Sequence, residues 1–127
     1  MNATMSQEDY LETIYDLSQT NGEVKSVDVA RIRKVSRASI NKAMMGLVEK
    51  GYITHEPYGK LVLTQKGRAL AKDIRKRHDI LKSFLEHVIK VEPDVAEEEA
   101  CKIEHIVSKD TIQKICQYVT DNVGINI

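Results

Sequence analysis

Helical periodicity interrupted by two tight turns in the first fifty residues, a Pro- and Gly-turned pair of short apolar runs after them, and helical periodicity again to the end predict a mainly α fold. Its parts are a winged helix-turn-helix with a two-stranded wing and a following α-helical domain. A length of 127 residues suits one domain or two small ones. The 42% hydrophobic and 30% charged content is that of a soluble globular chain. No apolar run approaches the roughly 18 residues a membrane span needs. Met1 to Glu8 has neither a basic stretch nor an apolar one, so cytoplasm is the expected compartment.

Each element has its own signal. Tyr10, Ile14 and Leu17 repeat at helical spacing from Ser6, the expected N-cap, to about Gln19, and Asn21-Gly22 ends that helix. Ser26 is the expected cap of a short second helix to about Lys34. Ser36 caps a third, in which Ile40, Ala43, Met44, Leu47 and Val48 form a stripe that stops at Gly51. Residues 52–55 and 61–64 read as strands, turned by Glu56-Pro57-Tyr58-Gly59-Lys60. A long helix follows from Gln65 to about Lys90, with Leu70, Ile74, Leu81, Leu85 and Val88 on one side. Pro93 breaks it, and two helices at about 95–107 and 109–122 complete the chain. Their apolar residues Ile103, Val107, Ile112, Ile115 and Val119 are expected to be covered by a second copy, making a homodimer.

The net charge is zero, but its distribution is uneven. Residues 1–24 carry −5, residues 25–90 carry +10, and residues 91–127 carry −5. A basic middle segment containing a helix-turn-helix points to double-stranded DNA as partner. Ser36, Arg37, Ser39, Asn41 and Lys42 lie off the apolar stripe of the third helix, where base edges and phosphates would meet them, and Lys60 belongs to the wing.

A second constellation suits first-row metals. Asp9 and Glu12 are spaced i, i+3, and Cys101, Glu104 and His105 i, i+3, i+4, so each group shares a helical face, and His78 lies on the long helix. Taken singly, the acids also suit a helix N-terminus, and Cys101 and His78 also suit a core. Two cysteines fifteen positions apart, Cys101 and Cys116, do not make a disulfide framework.

The order of elements, with Glu8-Asp9-Tyr10-Leu11-Glu12-Thr13-Ile14-Tyr15, Leu63-Thr64-Gln65-Lys66-Gly67, Arg77-His78 and Glu99-Ala100-Cys101-Lys102-Ile103-Glu104-His105, resembles the diphtheria-toxin-repressor family of metal-dependent transcriptional regulators. The short second half resembles its two-domain manganese transport regulator branch. This resemblance implies a DNA-binding domain over residues 1–70, a helical metal-binding and dimerisation domain over 71–127, and a metal site at their junction. Asp9, Glu12, His78, Glu104 and His105 match ligand positions of the manganese branch, whereas Cys101 matches the iron branch. Glu97 stands at an ancillary ligand position of the iron branch, and Lys82 replaces that branch's ancillary carboxylate. Lys34 fills a turn position where the usual helix-turn-helix pattern has Gly or a similarly small residue, and Arg33 one that is often apolar.

The implied activity is repression of Mn or Fe uptake genes, switched on by Mn²⁺ or Fe²⁺, with Zn²⁺ as a further candidate. A thiol-redox or zinc sensor using Cys101 is the alternative. A metalloenzyme is more remote, because six protein ligands leave little open coordination and no nucleophile motif is visible.

Overall fold

The computed structural model describes residues 3–124. Residues 1–2 and 125–127, at the outer ends of the two expected domains, lie outside the described residues. The chain divides into two compact units after Lys72. No helix among the described residues is long and apolar enough to cross a membrane.

The first unit begins with α1, Met5–Asn21, capped by Thr4 and not by Ser6. Thr4 Oγ1 accepts from the Gln7 amide and Gln7 Oε1 accepts from the Thr4 amide, at 3.1 and 3.0 Å, a reciprocal capping box that Ser6 would form only by sacrificing the first turn. A two-residue strand β1, Val24–Lys25, leads into α2, Ser26–Arg33. Ser26 is thus the first helical residue and gives no cap; Lys25 holds that position without a side-chain bond. Lys34 ends α2 in the left-handed conformation, φ 56° and ψ 47°. That conformation is the physical reason a Gly suits the turn, and here a lysine adopts it.

Helix α3, Arg37–Glu49, is capped by Ser36, whose Oγ accepts from the Ser39 amide at 3.1 Å. Ile40, Met44 and Leu47 are buried, while Val48 at the end of the expected stripe is 41% exposed. Strands β2, Ile53–His55, and β3, Lys60–Leu63, flank a tight turn at Pro57–Gly59. The sheet is three-stranded and antiparallel in the order β1-β3-β2, so the wing pair acquires a third strand through Val24 opposite Leu61 and Lys25 opposite Lys60. Its buried residues Val24, Ile53, Leu61 and Leu63 join Leu11, Ile14, Val29, Ile40, Met44 and Leu47 in one core.

Helix α4, Gln65–Ser83, starts against that core. Thr64 Oγ1 accepts from the Gly67 amide at 3.1 Å, and a Cβ on Gly67 would lie 1.9 Å from the Tyr52 carbonyl oxygen. An exposed helical Gly→Ala change normally gains up to about 1 kcal/mol. Gly67→Ala is expected to reverse that sign and cost about 1–3 kcal/mol or more through overpacking, seen as a lower urea midpoint.

In the second unit the long helix is not regular to Lys90. It ends at Ser83 and continues as one wide π-type turn, Phe84–Val88, closed by Ile89 N–H donating to the Phe84 carbonyl at 3.2 Å. Lys90 then leaves in a left-handed conformation, φ 69°. The wide turn takes one residue more than an α-turn, and the Phe84 ring meets Tyr118 edge-on at 6.4 Å. Pro93 opens α5, Pro93–Ile103, and Ser108 caps α6, Lys109–Val123. Ile80, Leu81, Ala100 and Ile112 form this unit's core, with Ile103, Val107, Ile115 and Cys116 half-buried around it. Of the apolar residues expected to be covered by a second copy, Ile112 and Val119 are already buried in the single chain, while Ile103, Val107 and Ile115 are half-buried. The large apolar residues exposed here are Ile89, Val95, Ile106 and Tyr118.

Candidate functional site

His78 sits on the inward side of α4, 1% exposed, and Glu104 follows α5 at 0%. The two contact directly, Nδ1 to Glu104 Oε1 at 3.0 Å. Glu104 was expected inside a helix reaching 107, but α5 ends at Ile103 and Glu104 is its cap, with His105 half-buried in the succeeding turn. Helical backbone angles at Glu104, φ −55° and ψ −25°, keep its side chain on the α5 face shared with Ala100 and Cys101. Cys101 Sγ is 3.6 Å from the same His78 Nδ1. On the opposite edge of the ring, Nε2 lies 2.9 Å from Glu97 Oε2, which also receives Lys82 Nζ at 3.3 Å. Arg77 donates to the Glu104 backbone carbonyl at 2.8 Å. Spacing alone did not point to Arg77, because its partner is a main-chain atom 27 positions away.

A deeply buried carboxylate needs partners for its oxygens. Among the described residues, Glu104 Oε2 has no hydrogen-bond partner. Nitrogen from His78, sulfur from Cys101 and oxygen from Glu104 or Glu97 form a donor set that fits a divalent transition ion. The ligand atoms of His78, Glu97 and Cys101 all lie within 4.8 Å of one another.

The electrostatics agree with a place built for positive charge. The hydrogen bond with Glu104 pushes the His78 pKa from 6.5 up to about 9, burial opposes that rise, and Glu97 adds to it. Glu97 is held below the usual carboxylate range, chiefly by its hydrogen bond to His78. A folded-state pKa raised from 6.5 to about 9 contributes stability that is fully present below 6.5 and lost as pH rises through about 9. The metal-free protein should therefore melt at a lower temperature at pH 9.5 than at pH 6, and His78→Gln should flatten that slope in a thermal scan.

The remaining candidate ligands belong to the first unit. Asp9 and Glu12 lie one turn apart on α1, and Asp9 Oδ2 pairs with Arg33 at 3.3 Å. Arg33 also stacks near the Tyr10 ring, 6.0 Å from its centroid, so the residue standing at an often apolar position braces α1 against α2.

On α3, Arg37, Ser39, Asn41 and Lys42 are all exposed. The Ser36 and Ser39 hydroxyls bond each other at 3.0 Å. A groove of about 720 Å³ runs between α2, α3 and the wing turn, lined among others by Arg31, Lys34, Arg37, Asn41 and Tyr58. Tyr58 is the exposed tip, at 95%. Lys60, expected at the tip, opens β3 instead, half-buried and directly opposite Lys25, so two like charges sit side by side on the strand pair. The sequence singles out Lys34 only as a turn residue and does not single out Arg31 or Lys25, although the basic count of the middle segment contains all three.

Residues 2–61 match the family model described as iron dependent repressor, N-terminal DNA binding domain. Residues 64–122 match iron dependent repressor, metal binding and dimerisation domain. An uncharacterized HTH-type transcriptional regulator of Methanocaldococcus jannaschii is 33% identical over 113 residues, 88% of this chain and 90% of that protein. The HTH-type transcriptional regulator MntR of Listeria monocytogenes is 37% identical over 112 residues, 88% of this chain and 78% of that protein. Among solved structures, a manganese-dependent transcriptional repressor in complex with manganese matches with a TM-score of 0.81 and 27% identity. That match covers 89% of this chain, which spans about half, 52%, of the solved one.

Proposed function

The chain belongs to the iron-dependent repressor family of metal-dependent transcriptional regulators, and from that premise we propose that a divalent metal held by Asp9, Glu12, His78, Cys101, Glu104 and His105 switches a homodimer to tight operator binding. The observation that carries the proposal is the buried His78–Glu104 pair, with Cys101 Sγ 3.6 Å from the same ring nitrogen and Glu104 Oε2 without a hydrogen bond among the described residues. When bound, a divalent cation offsets the mutual repulsion of the carboxylates. His78, Cys101 and Glu104 hold it from the second unit, and Asp9 and Glu12 come from the unit that carries α3. Metal and DNA then favour one state and must strengthen one another. The physiological reading is repression of Mn or Fe uptake genes by a regulator, not turnover by an enzyme.

Anisotropy titration of the full chain on DNA from upstream of its own gene tests this reading, under Mn²⁺, anaerobic Fe²⁺, Zn²⁺ or chelator. Metal is expected to tighten binding by about 5–150-fold. Ser36 positions α3, while Arg37, Ser39, Asn41 and Lys42 face the DNA and Lys60 neutralises phosphate. Asn41→Ala should relax sequence preference by about 1–3 kcal/mol at one base pair, whereas Lys60→Ala should weaken all sequences equally and flatten the salt dependence. A thiol-redox reading is favoured only by the exposure of Cys101, and it expects DNA binding to follow oxidation with no metal present.

A further inference from the structure

We infer that Glu97 is not a metal ligand but the positioning residue that aims His78, and that Lys82 holds Glu97 in that role. The inference rests on the metal-site reading above and sharpens it. The His78 ring separates two environments. On its Nδ1 edge stand Glu104 Oε1 at 3.0 Å and Cys101 Sγ at 3.6 Å. Arg77 donates to the Glu104 backbone carbonyl at 2.8 Å. On the Nε2 edge Glu97 Oε2 lies at 2.9 Å, and that same oxygen takes Lys82 Nζ at 3.3 Å.

Helix spacing produces this division. His78 and Lys82 are i, i+4 on α4, so the ammonium stands one turn beyond the ring; Glu97 and Cys101 are i, i+4 on α5, so the carboxylate and the thiol face opposite edges of it. A dication drawn to Glu97 Oε2 would sit beside the Lys82 charge, whereas the Nδ1 edge offers sulfur and carboxylate donors together. Glu97 and Lys82 are partly exposed, so their ion pair adds little to stability by itself. Its consequence is directional: an Nε2–H donated to a fixed carboxylate leaves Nδ1 as the lone-pair nitrogen, the outer-shell arrangement that commonly sets the tautomer of ligating histidines.

The test uses the ¹⁵N-labelled full chain with Zn²⁺ as probe and long-range ¹H–¹⁵N spectra, His78 being assigned by its loss in His78→Gln. The expected spectrum shows Nε2 protonated and Nδ1 carrying the metal. Glu97→Gln, which keeps an acceptor oxygen, should preserve that pattern and nearly all Zn²⁺ affinity. Glu97→Ala should weaken Zn²⁺ by about 10–100-fold without changing the number of ions bound, and Lys82→Met should weaken it by less. Metal on Nε2, or Glu97→Gln as damaging as Glu97→Ala, overturns the positioning role while leaving the metal site standing. His78 signals unmoved by Zn²⁺ overturn both.

Discussion

Glu104→Gln is expected to abolish metal-responsive DNA binding while preserving the fold. The side chain is fully buried, its Oε1 contacts His78 at 3.0 Å, and its Oε2 has no hydrogen bond among the described residues. Glutamine keeps the shape and an oxygen that still accepts from the ring, so far-UV dichroism should be unchanged. What disappears is the negative charge proposed to hold a cation. Metal affinity should fall by more than the roughly 10–100-fold typical of losing an outer-shell partner, and the metal-dependent gain in DNA affinity should vanish with it. Metal-free DNA binding should match that of the unmodified protein in the same anisotropy assay.

Cys101→Glu has the next largest expected effect, on the choice of metal. Sulfur favours Fe²⁺ and Zn²⁺ relative to Mn²⁺, and a carboxylate restores an oxygen donor. In the proposed site Asp9, Glu12 and Glu104 would supply hard oxygens in either protein. The concentration of Mn²⁺ giving half-maximal DNA binding should fall relative to that of Fe²⁺ by about tenfold, equivalent to about 1.4 kcal/mol. The exposure of Cys101 gives the longer side chain room to extend without overpacking. Unchanged activation constants for all three metals would return Cys101 to a packing role.

The parts of the fold that follow from local periodicity were legible in the sequence. The α3 stripe buries Ile40, Met44 and Leu47 as its 3.6-residue spacing dictates, and Ser36 caps it. The Thr4 cap was legible too, since Thr4 and Gln7 fit the capping-box spacing, but Ser6 lies nearer the apolar stripe. Strand β1 was not, because two residues carry no period and owe their state to pairing with β3. Nor was the wide turn after Ser83, where Leu81, Leu85 and Val88 keep ordinary helical spacing in the sequence while the backbone widens.

The candidate site divides in the same way. Residues sharing one helical face, Cys101 with Glu104 and Asp9 with Glu12, are readable from spacing. The pairing of Lys82 with Glu97 and the grip of Arg77 on the Glu104 carbonyl are made between separate segments, so no local pattern announces them.

Metal and DNA binding, coupled as proposed, must strengthen one another reciprocally. Titrating the full chain with Mn²⁺ in the absence and presence of saturating operator DNA, with metal Kd as the readout, tests that coupling most directly. DNA should tighten the metal by the same factor, about 5–150-fold, by which metal tightens DNA. An identical metal Kd with and without DNA would contradict it.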